Sequence, residues 1–579
     1  MLSAVVLLTA CSQNPPSASD AARAPAAPSA SGAVAAVPPV LAAPAAPPAP
    51  AALGGAAGMA PRLQERAALS AAAQRKLAAP SAVAPMPLPR PMPDRALPAE
   101  ARDRYQALED NPVQRTAQEA VSTLSLDVDT AAYAQVRRWL NQGRLPPRDA
   151  VRVEELVNYF RYEGGPPAAG HPFAVQAEVA AAPWNPDNLV LRIGVKAVDR
   201  AMSSAPPANL VFLVDVSGSM ASADKLPLVQ ASLRQLVQQL RPQDKVSLVT
   251  YSGRTQLELP PTSGADKAVI EAAIARLQAS GGTAGGQAIQ LAYAQARAGF
   301  IAGGINRILL ATDGDFNIGI TDPRQLKDLV ARERRSGVSL TTLGFGQGNF
   351  NDALMDQLAA VGNGNYSYID SLAEAQKVLG DELAATFQTV AGDVKLQVEF
   401  NPGTVAEWRL IGYENRLLAE ADFRNDAVDA VEIGAGKSVT ALYELTPVGK
   451  PTLTDARRYA AAAPAAAAHG HEWGQVKIRY KQPGASRSVE LSQVVPRTVS
   501  AQPGADWKFA TAVAGFGQLL RGGTHTGQWT YADARTLAQQ GLGTDANGLR
   551  RDFVKLIDLA QSLAPKAAGS DAPVKVGGE

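Results

Sequence analysis

The stretch Leu210-Val-Phe-Leu-Val-Asp215-Val-Ser217-Gly-Ser219-Met constrains this chain more than any other. Its five leading apolar residues lack the alternation of a half-exposed strand, which predicts a parallel strand buried on both faces. The run then stops in Asp-x-Ser-x-Ser, a carboxylate followed by hydroxyls at alternate positions. Oxygen-only ligands on a short loop suit a hard cation such as Mg2+. A strand ending in a polar turn fits the same residues, because Ser and Gly are common where chains reverse.

The residues that follow supply the context. Leucines and valines recur at helical spacing over 225–240, and Val246-Ser-Leu-Val-Thr-Tyr251 reads as a second strand. Ser263-x-x-Asp266 resembles a capping box before another helix. Ser280-Gly-Gly-Thr283-Ala-Gly-Gly286 is a glycine-rich loop, and Arg307-Ile-Leu-Leu-Ala-Thr-Asp313 is another apolar strand ending in a carboxylate. A helix to Arg335, a strand from Val338, a helix over 352–361, a strand at Tyr366-Ser-Tyr-Ile and a closing helix over 371–391 complete the series. Strands alternating with helices predict an α/β fold with a doubly wound, mostly parallel sheet, its site on the loops at the strand carboxyl ends. Asp215, Thr283 and Asp313 all fall at such loops.

With those residues in place, the segment 208–390 resembles the von Willebrand factor type A domain. The metal-ion-dependent adhesion site of that family is Asp-x-Ser-x-Ser, a later Thr and an Asp after a central strand. The resemblance implies that Ser217 and Ser219 ligate Mg2+ directly, with Mn2+ or Ca2+ as alternatives. It implies that Thr283 ligates directly or through water, and that Asp215 and Asp313 act mainly through water. Neutral hydroxyls nearest the ion would leave it electrophilic toward a carboxylate offered by a protein partner.

Bulk properties exclude several other classes. The chain has 579 residues with 55 basic and 54 acidic side chains, so no electrostatic footprint for nucleic acid is present. The single cysteine, Cys11, excludes an intramolecular disulfide framework and a cysteine zinc site. None of the four histidines accompanies a Gly-x-Ser-x-Gly elbow, and His469-Gly-His471 reads as a solvated loop. The glycine-rich loop at 280–286 lacks the lysine of a phosphate-binding loop.

At the N-terminus, residues 1–11 form an apolar run too short to span a bilayer. Leu8-Thr-Ala-Cys11 resembles a bacterial lipobox, which implies cleavage before Cys11 and lipid attachment to it. The missing basic region places the expected start codon upstream. Ser12 resembles outer-membrane sorting in Gram-negative bacteria. Residues 12–105, dominated by Ala and Pro, cannot bury enough apolar surface to order themselves and read as a disordered tether.

A module over 106–205 carries an alternating strand at 123–130, a helix capped by Thr130, a second helix capped by Asp149, and two strands at 173–181 and 189–197. Asp127-Val-Asp129-Thr130 allows a rival, phosphatase-like reading, with Asp127 as nucleophile and Asp129 as acid/base. It matches the first motif of haloacid dehalogenase phosphatases, but the rest of that set is not found. Strands at 393–400, 407–413, 437–445, 473–481 and 487–494, within 391–495, are expected to join the 173–197 hairpin in an antiparallel sandwich into which the type A domain is inserted. Helices over 505–520, 531–540 and 547–563 make a C-terminal segment over 500–565, and 566–579 reads as disordered.

The span 111–563 resembles one family of bacterial, YfbK-like lipoproteins, through Leu124-Ser-Leu-Asp-Val-Asp-Thr-Ala, Pro183-Trp-Asn-Pro and Leu410-Ile-Gly-Tyr-Glu-Asn-Arg416. The expectation is therefore a lipid-anchored cell-envelope binding protein, not an enzyme, with its membrane contact through the anchor alone. A structural scaffold with a vestigial metal site is the further alternative.

Overall fold

The computed structural model describes residues 103–565, apart from 127–128, 168, 283–285, 315–322, 349, 383–386, 429 and 456–468. Cys11, Asp127, Thr283, the Ala/Pro-rich stretch up to 102 and the tail from 566 lie outside the described residues.

Two short strands, β1 (Gln114–Arg115) and β2 (Val121–Ser125), precede helices α1 (Ala131–Asn141) and α2 (Val153–Asn158). The hairpin of β3 (Phe173–Ala181) and β4 (Leu189–Ala197) follows. The central domain then runs β5 (Ala208–Asp215), α3 (Leu226–Gln238), β6 (Lys245–Tyr251), β7 (Thr255–Ser263), α4 (Lys267–Ala275), α5 (Gly286–Ala298) and β8 (Ile305–Thr312). It continues with α6 (Pro323–Arg334), β9 (Ser339–Phe345), α7 (Asp352–Val361), β10 (Tyr366–Ile369) and α8 (Leu372–Gln376). Beyond it lie β11 (Thr389–Phe400), β12 (Val405–Ile411), β13 (Val431–Gly434), β14 (Ser438–Pro447), β15 (Glu472–Lys481) and β16 (Ser488–Pro496). The helices α9 (Ala505–Leu520), α10 (Tyr531–Gln540) and α11 (Leu549–Leu563) close the described chain.

The central sheet has the order β10-β9-β8-β5-β6-β7. Every neighbouring pair is parallel except β6 and β7. Every residue of β5 is buried. Leu210, Phe212 and Val214 join the core under α3 and α4, while Val211 and Leu213 join the core under α5 and α6. Burial on both faces is why this strand shows no polar alternation. The edge strand β7 was not expected from the sequence. Its Pro260 and Pro261 argue against a central strand but are tolerated at an edge, where missing backbone donors cost no ladder bonds.

The chain on either side of this domain shares two antiparallel sheets. One has the order β1-β12-β14-β4-β3; in the other, β11 pairs with β15 along one edge and with β13 and β2 along the opposite one. β4 pairs with β14 from Leu189 to Lys196. The central domain is thus inserted between strands that pair with each other. The two sheets enclose a core that includes Phe173, Ile193, Leu396, Phe400, Trp408 and Ile478. A helical layer of α1, α2 and α9 to α11 forms a separate core around Tyr133, Phe160, Phe509 and Phe553.

Several expected helix ends differ. Thr130 precedes α1 but its side chain makes no capping bond. Asp149 lies in a short 3-10 turn, where Oδ1 accepts from the Leu108 N–H at 3.2 Å, and α2 begins only at Val153. Ser263 Oγ accepts from Ala265 N at 3.2 Å, and α4 starts at Lys267 without a capping box. The closing helix expected to reach 391 is α8 followed by a π turn over Lys377–Asp381. Thr389 and Ala391 pair instead with β13, so sheet pairing overrides helical periodicity there.

The N-terminal module is stapled to the central domain by buried charges. Arg152 Nη1 donates to Asp352 Oδ2 at 2.6 Å, its Nε donates to Glu155, and Gln135 Nε2 and Tyr366 OH each donate to Asp352 Oδ1 at 2.7 Å. Arg137 pairs with Asp370 and, at 2.7 Å, with Glu374.

Candidate functional site

The site is set by where three strands end. β5 stops at Asp215, which lies in register with Tyr251 at the end of β6, while Val214 lies opposite Ala311 on β8. That register brings Thr312 and Asp313 beside Asp215. Asp215 is fully buried, with Oδ1 accepting from the Ser217 N–H at 2.9 Å and Oδ2 from Thr312 Oγ1 at 3.1 Å. Burial pushes this carboxyl up to about 6, against the lowering effect of its hydrogen bonds from Ser217.

Past Asp215 the chain turns into a short 3-10 segment, Gly218–Ala221. Ser217 Oγ and Ser219 Oγ lie 3.0 Å apart. Ser217 is 2 % exposed, whereas Ser219 is open to solvent. Neighbouring loops are stitched to this turn by backbone bonds: Val216 N to Tyr251 O at 2.9 Å, Ser280 N to Val216 O at 2.8 Å, and Gly218 N to Gly281 O at 3.0 Å. The last two place the start of the glycine-rich loop directly against the serines, although Thr283 itself lies outside the described residues.

Asp313 is 3 % exposed, and its Oδ2 accepts from Lys225 Nζ at 2.9 Å. Gly314 follows with φ +81°, and a Cβ there would stand 2.6 Å from Asn351 N. Glycine is required for this close approach, which locks the Asp313 loop onto the start of α7. Four of the five residues expected for a cation site are therefore brought together: Asp215, Ser217, Ser219 and Asp313. Lys225 and Thr312 were not expected. Lys225 carries no periodicity signal, and Thr312 reads only as a strand residue.

The donor set fits a hard cation by its chemistry. Neutral hydroxyls stand in front and carboxylates behind them are already held by donors. Among the described residues, no cluster of three or more His, Cys, Asp and Glu side chains offers a different metal site. The rival Asp127/Asp129 pair is not supported. Asp129 is 5 % exposed, its Oδ1 accepts from Tyr366 N at 2.7 Å and its Oδ2 pairs with Arg416 at 3.2 Å, so its carboxylate serves the fold. Asp127 lies outside the described residues.

Comparison with known proteins identifies the family. The family model of the von Willebrand factor type A domain matches residues 209–381, one described as von Willebrand factor matches 99–192, and one described as the C-terminal part of uncharacterized protein YfbK matches 385–563. The uncharacterized protein YfbK of Escherichia coli is 49 % identical over 468 residues, covering 79 % of this chain and 81 % of that protein. Human inter-alpha-trypsin inhibitor heavy chain H4 is 34 % identical over 149 residues, which cover 24 % of this chain and 16 % of that one. Among solved structures, a von Willebrand factor type A protein from Catenulispora acidiphila aligns over 69 % of this chain and 91 % of its own, at 16 % identity and a TM-score of 0.39. The chain belongs to the YfbK family, proteins that join a von Willebrand factor type A domain to the YfbK C-terminal domain.

Proposed function

We propose that this protein captures a protein partner in the cell envelope through a divalent cation held at the carboxyl edge of its type A sheet. The type A domain itself supports an interaction role. The observation that carries the finer reading is the convergence of the Ser217 and Ser219 hydroxyls, 3.0 Å apart, in front of two nearly fully buried carboxylates. Ser217, Ser219 and Thr283 would hold the ion, and Asp215 and Asp313 would supply negative charge from behind. Mg2+ suits these oxygens best, with Mn2+ and Ca2+ as competitors. A cation faced by neutral hydroxyls is incompletely neutralised and draws a carboxylate from the partner.

On this reading the chain is a binding protein and not an enzyme. Lipid attachment at Cys11 and a spacer over 12–105 would hold the folded body away from the membrane, on the outer membrane of a Gram-negative cell. The test is capture of envelope proteins by the purified chain in Mg2+ and in EDTA. Capture that depends on Mg2+ and disappears in Asp215→Ala is expected; equal capture in EDTA contradicts the reading. Cys11→Ser should move the protein from the membrane fraction to the soluble fraction.

A further inference from the structure

One cation is already built into the site. Lys225 stands six residues beyond Ser219, at the start of α3, and its ammonium lies 2.9 Å from Asp313 Oδ2. The Lys225 and Asp313 side chains are only 11 % and 3 % exposed. The lysine is held along its length as well as at its tip. Its stem lies on Gly346, where a Cβ would come within 2.4 Å of Lys225 Cγ and Cε. Gly346 has φ +68°, and its carbonyl accepts from Arg138 Nη1 at 3.2 Å and from Tyr368 OH. The neighbouring Asp224 is turned to Ser222, whose Oγ donates to its Oδ1 at 2.5 Å. Counted by themselves, the described residues Asp215, Asp313 and Lys225 carry a net charge of minus one, where the two carboxylates alone would carry minus two.

We propose that Lys225 is a resident competitor of the divalent cation that sets the charge of the loaded site. Its role presupposes the cation reading given under the proposed function. In the metal-free protein the ammonium neutralises Asp313, which weakens the attraction for a second cation. With a divalent ion present, the two carboxylates and the lysine leave a net charge of plus one. An anionic ligand is then favoured over a neutral one. Lys225 thus trades metal affinity for selectivity toward an acidic partner segment.

The experiment uses the full chain, Mn2+ as the metal probe and acetate as the anion probe. Mn2+ affinity is measured by titration calorimetry for the wild type, Lys225→Met and Lys225→Arg, with thermal melts in EDTA to establish that each is folded. Lys225→Met keeps the apolar stem and removes the charge; it should bind Mn2+ on the order of ten-fold more tightly. Its Mn2+-loaded form should bind acetate more weakly than the wild type does. Lys225→Arg retains the charge and should stay near wild-type values in both. Equal or weaker Mn2+ binding by a folded Lys225→Met overturns the proposal, as does acetate binding that does not change. Mn2+ binding that is unaffected by Asp215→Ala refutes the cation site itself, a result distinct from either.

Discussion

Two carboxylate clusters in this chain look alike by composition and differ in what surrounds them. At the module junction, Asp352 and Glu155 receive the guanidinium of Arg152, and Gln135, Tyr366 and the Ala132 N–H fill further lone pairs. All three charged residues are 5 % exposed or less. At the sheet edge, Asp313 takes the ammonium of Lys225, Asp215 accepts from the Ser217 N–H and Thr312 Oγ1, and the groups in front of them are hydroxyls. The first cluster is satisfied by the fold and holds modules together. The second lies behind two serine hydroxyls, of which Ser219 is open to solvent. Each cluster sets two carboxylates against one basic side chain; they differ in that the first is enclosed between modules and the second adjoins a solvent-exposed hydroxyl.

Breaking the staple should have the largest effect on folding. Asp352→Ala strands a buried guanidinium and should cost about 3–5 kcal/mol in chemical denaturation, with no rescue by Mg2+. The edge cluster should respond in the opposite way. Asp215→Asn should leave metal-free stability close to wild type but abolish the gain from Mg2+, about 2.7 kcal/mol at a hundredfold excess over Kd. Gly314→Ala probes the link between the two, because Gly314 abuts Asn351 beside Asp352. The strained backbone should cost about 1–3 kcal/mol, and Mn2+ affinity should fall in the same variant. As a baseline, the exposed Lys450–Asp187 pair should contribute about 0–1 kcal/mol, so that Lys450→Ala barely moves the melt.

How much of this was legible in the sequence follows from distance along the chain. Asp215, Ser217, Ser219 and Asp313 could be found because each closes or follows a buried apolar run, and strand ends in a parallel sheet converge on one edge. The hairpin at Phe173–Ala197 could be assigned to the sandwich because it had no core of its own. Lys225 could not be found, since its reach to Asp313 depends on the turn after Ser219 and on the room left by Gly346. The Arg152–Asp352 staple joins residues 200 apart, with no local pattern at either end. β7 was hidden by Pro260 and Pro261, and the missing Thr130, Asp149 and Ser263 caps show that a capping residue in sequence need not make the bond.

The central claim is that the sheet-edge cluster holds a divalent cation, and titration calorimetry of Mg2+ into the full chain tests it most directly. The wild type should bind a single Mg2+, released by EDTA, with binding lost in Asp215→Ala and unaffected in Lys450→Ala. Mg2+ binding of the same strength in Asp215→Ala, or none in the wild type, would contradict the account.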